Sequence, residues 1–260
     1  MFRYKTVARD RIANAIGNAL KKVRGGHCGR ERFLLTTLLY RSLPYLNFDY
    51  CRLVEWQFIG ANLPKSGLRV LDIGATSSLF IYELAGRGYD TFACDTRPYM
   101  ERLSGTIKFI RCDIMATPFP DNFFDIITGI STVEHIGLGF YGDPRSGDGD
   151  FKAMNEMKRI LKGQGLLCLT TTIGKSYTIT PNGNCRIYDG SRLAQLTAPF
   201  FTEKEEYYTF VKNKWLETSK RVALGQVLPY YALACLLLRP RTDSLETSLL
   251  DMTDNEHIRL

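Results

Sequence analysis

The stretch Arg-Val-Leu-Asp-Ile-Gly at residues 69–74 decides how the rest of the chain is interpreted. An apolar run this short, with Gly67 before it and Gly74 at its end, is typical of a buried central strand and is too short for a helix. Four small residues follow at 75–78, and a helical pattern then runs from 79 to 85. The sequence therefore predicts a strand, a small-residue loop and a helix. In that arrangement, exposed backbone N–H groups at the helix N-terminus can meet a nucleotide-like ligand.

Acidic residues close the strands predicted next. The second strand ends at Asp95, which follows Gly74 by 21 residues, and an acid at this point can accept hydrogen bonds from both hydroxyls of a ribose. A third strand, at 107–112, ends before Asp113, and a fourth apolar strand is predicted at 124–130. Open α/β sheets place their ligand chemistry at the carboxyl ends of strands, which is where these acids stand.

A resemblance to a known family is carried by VLDIGA at 70–75, by the acid Asp95, and by CDIMATPFPDNFFDII at 112–127. In this order they resemble the class I S-adenosylmethionine-dependent methyltransferases. Within that superfamily, a little-characterised group of methyltransferase-like proteins is similar in STVEHIGLGFYGDP, DGDFKAMNEMKRILK and NCRIYDGSRL. The resemblance covers residues 68–200 and implies an α/β fold with a Rossmann-like seven-stranded sheet and helices on both faces.

The resemblance also implies S-adenosyl-L-methionine as the cofactor, held at the carboxyl ends of the strands. The residues implied are Asp72, Gly74, Ala75, Thr76, Ser78, Asp95, Thr96, Asp113, Ile114 and Ser131. The loop at 75–78 would hold the amino-acid part, Asp95 the ribose, and Asp113 with Ile114 the adenine. The family usually repeats glycine at alternate positions of the loop, whereas this chain has Gly74 followed by Thr76 and Ser78. The hydroxyl groups of these two residues can bond a ligand carboxylate or helix N–H groups. The alternative is that the acids only cap strand ends and turns.

The candidate catalytic residues follow the fourth strand. Methyl transfer is an in-line displacement, so the protein mainly aligns the nucleophile and removes a proton where the nucleophile is a hydroxyl or an ammonium. His135 is the candidate base, because an imidazole titrates near neutrality. Glu134 either orients His135 or caps the following turn. The alternative is a structural histidine that orients the loop.

Residues 136–150 are rich in glycine and are predicted to form a loop over the site. Candidates for the acceptor site are Tyr141, Asp143, Asp148, Asp150, Arg186 and Tyr188, although such residues are also ordinary in loops. Polar and aromatic groups together suit a sugar, a glycan or another hydroxylated small molecule. The expected reaction is therefore O-methylation of such an acceptor.

The rest of the sheet is predicted from the residues after this loop. Asp150 is expected to cap a helix at 151–161, and a fifth strand follows at 166–172. Two antiparallel strands at 206–211 and 215–223 are predicted at the sheet edge, where they would complete the seven strands.

At 260 residues the chain is expected to form one α/β domain at 67–225 with additions at both ends. The first addition, 1–66, contains helical patterns, and the last of these, at 51–60, leads into the first strand. The second, 226–260, contains an apolar run and a polar tail without periodicity. No secretory signal is recognisable, because the N-terminus lacks a continuous apolar core and a small-residue cleavage site.

The cysteines and acids give little sign of a metal site. Seven cysteines form an odd set without a C-x-x-C pair, which suits reduced thiols in a cytoplasmic protein, so neither disulfides nor zinc are expected. Asp143, Asp148 and Asp150 could hold a divalent cation, but their spacing fits no calcium loop. No metal is therefore predicted.

The net charge of +7 is concentrated in residues 1–32, which hold nine Lys or Arg against two acids. The remainder is close to neutral, which argues against a nucleic-acid groove over the domain. Residues 10–24 show a basic amphipathic helical pattern. We expect them to hold the protein on anionic lipid at the cytoplasmic face of a membrane, aided by the apolar stretches 33–43 and 227–238, the latter too short to span a bilayer. In the competing interpretation, the helix packs on the protein's own sheet or on a second subunit, and the oligomeric state stays open.

Two functions from other classes remain open. A nicotinamide-dependent oxidoreductase would share the strand-loop-helix and the acid, but its G-x-G-x-x-G is absent here and PFPDNFFD would have no role. The other is a methyltransferase fold that binds without catalysing, for example as a membrane-attached assembly subunit. The missing loop glycines favour it.

Overall fold

The computed structural model describes residues 51–99, 106–212 and 214–241. The expected basic helix at 10–24, the apolar stretch at 33–43 and the polar tail after 241 lie outside these residues. The predictions made for them therefore stay predictions.

The described elements alternate between strands and helices along the chain. The helices are α1 (Cys51–Asn62), α2 (Phe80–Gly86), α3 (Gly149–Ile160), α4 (Gly190–Thr197) and α5 (Lys220–Ala223). The first five strands are β1 (Arg69–Ile73), β2 (Asp90–Asp95), β3 (Ile107–Arg111), β4 (Phe124–Ile130) and β5 (Leu161–Ile173). The others are β6 (Thr178–Ile179), β7 (Arg186–Ile187), β8 (Phe200–Val211), β9 (Lys214–Thr218) and β10 (Ala232–Pro240). Short 3₁₀ turns follow β1 at Ala75–Ser77 and β4 at Val133–His135.

Eight strands form one sheet in the order β3-β2-β1-β4-β5-β10-β8-β9. The pairs from β3 through β5 are parallel, whereas β10 runs antiparallel to both β5 and β8. The predicted Rossmann-like sheet is therefore confirmed, but it has eight strands and not seven, because the unpredicted strand β10 lies between β5 and β8. The chain leaves β1 towards β2 on one side and reaches β4 on the other, and such a reversal opens a crevice at the carboxyl ends of the strands.

The apolar run at 227–238 corrects two predictions. From Ala232 to Leu238 it is buried in β10, paired on both sides, and strands covered on both faces read as continuous apolar runs. It therefore belongs to the sheet and is not available to a membrane, and the domain extends past residue 225 to Pro240. The segment predicted as a second edge strand at 215–223 ends as β9 at Thr218 and then turns into α5. No helix in the described ranges is long and apolar enough to cross a bilayer.

Helices cover both faces of the sheet. On one face α1 and α2 contribute Phe58, Ile59, Phe80 and Leu84 to a core with β1, β4 and β5. On the other face α3 and α4 bury apolar side chains, among them Met154, against the same strands. Burial of apolar area on both faces is the main source of stability in such a layered fold.

The PFPDNFFD segment acquires a packing role. Phe119 and Phe124 meet edge to face with ring centroids 4.8 Å apart, and Phe92 of β2 packs edge-on against Phe124 at 5.4 Å. Edge-to-face aromatic pairs contribute about 0.5–1.5 kcal/mol beyond their area burial. This cluster fixes the entry into β4 and hence the position of the residues at its far end.

Helix α3 begins earlier than predicted. It starts at Gly149, and Asp148 occupies the N-cap position without a side-chain cap bond. Asp150, predicted as the cap, is instead fully buried inside the first turn. The strand predicted at 166–172 likewise begins at Leu161, directly where α3 ends.

Candidate functional site

A cleft opens at the carboxyl ends of β1, β2, β3 and β4, where the topology predicts ligand binding. It gathers many of the residues selected from the sequence. Its walls are formed by Arg52, Gly74, Cys94, Asp95, Thr96, Arg97, Cys112, Asp113, Ile114, Ile130, Ser131, Thr132, His135, Ile136, Tyr141 and Asp143.

Gly74 ends β1 with a left-handed backbone, φ 69°. A Cβ atom at this position would lie 2.6 Å from Cγ2 and 2.7 Å from Oγ1 of Thr132. Thr132 is itself held by its hydroxyl, 3.0 Å from the carbonyl oxygen of Ile130. Glycine is therefore required here both by the backbone conformation and by the close approach of the segment after β4.

Asp72 lies inside the sheet beneath the loop and is fully buried. The hydroxyl of Thr128 donates to its Oδ1 at 2.6 Å, while Oδ2 has no hydrogen-bond partner. Burial raises the pKa of Asp72 to about 6, although the Thr128 bond acts in the opposite direction. An orphaned buried carboxylate oxygen is uncommon in a folded protein and fits a cationic group placed above it, such as the ammonium of an amino acid.

The loop after Gly74 is tied to the end of β2. Ala75 is buried, the backbone N–H of Thr76 donates to Asp95 Oδ2 at 3.1 Å, and the Thr76 hydroxyl donates to the carbonyl of Arg97 at 3.2 Å. The Ser78 hydroxyl accepts from the N–H of Phe80 at 3.3 Å, at the start of α2. The hydroxyl residues that replace the family's glycines thus make structural bonds within the loop.

Asp95 is engaged by its own chain neighbourhood. Arg97 donates to Oδ1 through its backbone N–H at 2.9 Å and through Nε at 3.0 Å, and to Oδ2 through Nη2 at 3.0 Å. Burial alone would raise the pKa of Asp95, but the bonds from Arg97 and Thr76 outweigh it and hold the pKa below its usual value. Asp95 is therefore ionised near neutrality and faces the cleft wall with Thr96 beside it.

Asp113 and Ile114 lie at the end of β3 as the sequence predicted. Asp113 Oδ1 accepts from the backbone N–H of Met115 at 2.9 Å, which fixes the turn. Both Asp113 and Ile114 line the cleft, so one carboxylate and one apolar side chain face the same space. That pairing suits the edge and the face of a planar heterocycle.

Arg52 is a residue of this cleft that sequence reasoning missed. Its Nη1 donates to the carbonyl of Ile130 at 3.0 Å and to the carboxylate of Glu55 at 3.0 Å. Glu55 is fully buried and also accepts from the hydroxyls of Ser131 and Thr170. Helix α1 is thereby fixed to the ends of β4 and β5, and it brings a guanidinium to the cleft from outside the segment that carries the family resemblance.

Glu134, His135 and Cys185 form a cluster, of which His135 lines the cleft and the other two do not. A carboxylate oxygen, a ring nitrogen and the sulfur lie within 4.8 Å of one another. Burial raises the pKa of Glu134, and it raises the pKa of the Cys185 thiol to about 12. A metal ion bound here would have to displace the protons that burial favours on both groups, and the expectation that the protein holds no metal stays a prediction.

The imidazole of His135 is fixed by a backbone carbonyl and not by Glu134, for which this was one of two predicted roles. Nδ1 contacts the carbonyl oxygen of Asn184, whereas the carboxylate of Glu134 accepts from the Thr171 hydroxyl at 3.1 Å. A carbonyl can only accept, so this contact assigns the proton to Nδ1 and leaves Nε2 as the proton acceptor. His135 lines the cleft in this orientation.

The loop at 136–148 borders the cleft, and Asp143 organises it. Its Oδ2 accepts from the N–H of Gly137 at 2.7 Å and of Gly139 at 3.3 Å, and Oδ1 accepts from the N–H of Tyr141. Tyr141 is 38% exposed at the rim and meets His135 edge to face, with ring centroids 5.4 Å apart. Of the predicted acceptor residues, these two line the cleft.

Arg186 and Tyr188 are placed differently from the prediction. Both side chains are buried, and neither lines the cleft. Arg186 donates to the carbonyl of Ile136 at 2.6 Å, and the Tyr188 hydroxyl donates to Asp150 at 3.2 Å. They support the loop from beneath, so the geometry does not favour direct contact with an acceptor.

The three aspartates considered for a cation do not act together. Asp150 is buried and paired with Arg192 at 3.0 Å. Asp148 is exposed and paired with Lys152 at 2.9 Å, and Asp143 accepts the loop N–H groups. Each carboxylate already has its own partner, so they offer no shared cation site.

Comparison with known proteins identifies relatives of part of the chain. A family model described as a methyltransferase domain matches residues 71–169. The ubiquinone/menaquinone biosynthesis C-methyltransferase UbiE of Azotobacter vinelandii is 33% identical over 116 residues, which cover 40% of this chain and 42% of that protein. The chain thus matches less than half of the length of this relative.

Solved structures share the fold. The PH0226 protein of Pyrococcus horikoshii aligns with a TM-score of 0.50 at 15% identity, covering 73% of this chain and 90% of that one. The [4+2]-cyclase SpnF aligns with a TM-score of 0.52 at 17% identity, covering 73% and 80%. At such identities the likeness concerns the fold alone. Residues 71–169 thus match a methyltransferase domain, and the sheet around them has the fold of these solved structures.

Proposed function

We propose that this protein is an S-adenosylmethionine-dependent methyltransferase that methylates a hydroxyl of a sugar, a glycan or another hydroxylated small molecule. The observation that carries the proposal is the cleft, in which Gly74, Asp95, Asp113 and Ile114 face one space at the switch point of the sheet. When bound, the donor supplies a methyl group on a sulfonium. The residues of this chain bind it, orient the acceptor and remove a proton.

The residues of the cleft fit such a donor along its length. Asp72 does not line the cleft, but its buried carboxylate, two residues before Gly74, places a negative charge near the amino-acid end, and Arg52 offers a guanidinium for the carboxylate of the donor. Asp95 is the hydrogen-bond acceptor for ribose hydroxyls. Asp113 and Ile114 offer a polar edge and an apolar face to adenine.

His135 is proposed as the general base. With the proton on Nδ1 held by the Asn184 carbonyl, Nε2 can accept the proton of an acceptor hydroxyl. A positioned base of this kind contributes on the order of a hundredfold or more to the rate. Glu134 is a buried neighbour, and burial raises its pKa, which favours its neutral form.

The acceptor side of the cleft favours a hydroxylated molecule. Phe140 and Tyr141 are exposed at the rim, at 51% and 38%, and their rings meet edge to face. Aromatic faces beside polar groups are suited to the mixed surface of a sugar. UbiE is a C-methyltransferase by name, so methylation at carbon is the second candidate reaction.

Titration calorimetry with S-adenosylhomocysteine and with NAD tests the donor. We expect the first to bind and the second not to bind. Binding of NAD alone would overturn the proposal in favour of an oxidoreductase, and binding of neither would favour a fold that binds another ligand without methyl transfer.

The acceptor is identified by incubating the purified protein with methyl-labelled S-adenosylmethionine and a metabolite extract. Mass spectrometry then finds the labelled product, and carbon NMR distinguishes a methyl on oxygen from one on carbon. A product labelled on oxygen supports the proposed reaction, whereas a label on carbon favours the second candidate.

A further inference from the structure

All hydrogen-bonding positions of the Asp95 carboxylate are already occupied. An ionised carboxylate offers about four lone-pair sites, two on each oxygen. Oδ1 accepts from the backbone N–H and the Nε of Arg97, and Oδ2 accepts from the Thr76 N–H and the Nη2 of Arg97. A ribose hydroxyl can therefore bond Asp95 only if one of these donors leaves.

The guanidinium of Arg97 is the donor that can leave. The two backbone N–H groups belong to the turns after β1 and β2, whereas the Arg97 side chain is 36% exposed and can rotate away. Its fork holds one lone pair on each carboxylate oxygen. Departure of the fork would free one position on Oδ1 and one on Oδ2, the arrangement that a vicinal diol can bridge.

We propose that Arg97 is an internal competitor of the donor's ribose, so that the guanidinium must be displaced from Asp95 before the two ribose hydroxyls can bind. The inference rests on the proposed function, because it assumes an adenosyl ligand in this cleft. Arg97 is then a positioning residue for the donor. Ligands with a vicinal diol displace its guanidinium from Asp95, whereas ligands without one cannot replace the hydrogen bonds that the guanidinium makes.

The position of Arg97 also links the ribose site to the acceptor side. Its guanidinium lies 4.8 Å from the centroid of the Tyr141 ring, and Tyr141 in turn meets His135. A displaced guanidinium gives up this cation–π contact unless Tyr141 follows it. The donor would thus change the contacts of a residue at the rim before the acceptor arrives.

Removal of Arg97 should tighten binding of diol ligands. Hydrogen bonds to charged groups are stronger than those between neutral groups, but the pair of Arg97 and Asp95 is partly open to solvent, which weakens it. We therefore expect adenosine and S-adenosylhomocysteine to bind roughly 5- to 30-fold more tightly to Arg97→Ala than to the wild type. The affinity for 2′,3′-dideoxyadenosine should stay unchanged, because that ligand does not use the freed positions. The affinity of Arg97→Lys for diol ligands should lie between those of the wild type and Arg97→Ala, because an ammonium cannot bridge both oxygens of Asp95 as a guanidinium does.

Titration calorimetry of the full chain with these three ligands measures the effect, and thermal unfolding confirms that each variant is folded. Arg111→Ala is the matched charge control, because Arg111 ends β3 and donates to the carbonyl of Thr96, not to Asp95. It should leave the diol preference unchanged.

Three results would overturn the inference while leaving the proposed function intact. These are weaker or equal binding of S-adenosylhomocysteine by Arg97→Ala, an equal gain for the dideoxy ligand, or the same gain in Arg111→Ala. If Arg97→Ala does not fold, the same comparison is made with Arg97→Lys. If the folded wild type and both Arg97 variants bind none of the three ligands, the proposed function fails and the inference fails with it.

Discussion

Replacing Gly74 by alanine should destabilise the protein through two separate effects. The backbone at φ 69° is left-handed, which costs a residue with a Cβ atom about 1–2 kcal/mol. The new Cβ would also lie 2.6 Å from Cγ2 of Thr132, and such overpacking typically costs about 1–3 kcal/mol. We therefore expect Gly74→Ala to lower the free energy of unfolding by roughly 2–5 kcal/mol.

The two effects can be separated with a second substitution. Thr132→Ala removes Cγ2 and Oγ1 and leaves Cβ, 3.3 Å away, as the nearest Thr132 atom. In the double variant the overpacking is relieved, so the two substitutions should couple by about 1–3 kcal/mol, while the backbone cost remains. Gly67→Ala is the matched control, because Gly67 has φ 91° and no atom within 4 Å of its added Cβ.

Urea unfolding followed by circular dichroism gives the four free energies of the cycle and that of the control. Gly67→Ala should show the backbone cost alone. The reasoning is refuted if Gly74→Ala is no less stable than Gly67→Ala, or if the double variant loses the full sum of the single losses.

Two further predictions concern His135 and Asp72. His135→Ala should lower methyl-transfer turnover on the order of a hundredfold while leaving the affinity for S-adenosylhomocysteine within roughly twofold, and an unchanged turnover would make the residue structural. The pKa of Asp72 is raised from 3.8 to about 6, so the fold prefers the protonated acid and loses stability as pH rises from about 4 to about 6. The free energy of unfolding of Asp72→Asn, relative to that of the wild type, should therefore rise by about 3 kcal/mol between about pH 4 and pH 7, as measured by urea unfolding. A difference between the two proteins that does not change with pH would contradict this.

The parallel half of the sheet is readable from the sequence because its strands contain short apolar runs, and a glycine or an acid stands at or just after the end of each of the first three. The same pattern placed Gly74, Asp95 and Asp113 at one edge, and the structure brings them to one cleft. This part of the site follows from topology, since parallel strands end together.

Only part of the antiparallel half could be read in the same way: the edge pair of β8 and β9 was predicted, whereas β10 was missed. A strand such as β10, covered on both faces, has no alternation of apolar and polar residues, so its apolar run resembles a membrane-active segment. Its partners, β5 and β8, are identified only by long-range pairing. The pairing with β5 and β8, and not the local sequence pattern, therefore determines that this apolar run forms a strand.

The errors in the site have a related cause. Arg186 and Tyr188 look like polar candidates until the buried Asp150 is known to lie beside them. Arg52 reaches the cleft from a helix before the matched segment. The contact between Arg97 and Asp95 could have been predicted from the sequence, because an arginine two residues after an acid can fold back onto its carboxylate.

The place of β10 in the sheet has a consequence for how the chain is made. The strand fills the gap between β5 and β8, yet its last residue, Pro240, follows the end of β5 at Ile173 by 67 residues. At a synthesis rate of about 5–20 residues per second, the edge of β5 waits roughly 3–13 seconds for its partner. During that time the edge of β5 is exposed as a template for foreign strands, and the edge of β8 joins it after Val211 has been made. A chain released by a ribosome that stalls after β5 and before β10 should therefore be more prone to aggregate than the full-length chain. Binding of a chaperone to the nascent chain should also be strongest in this interval.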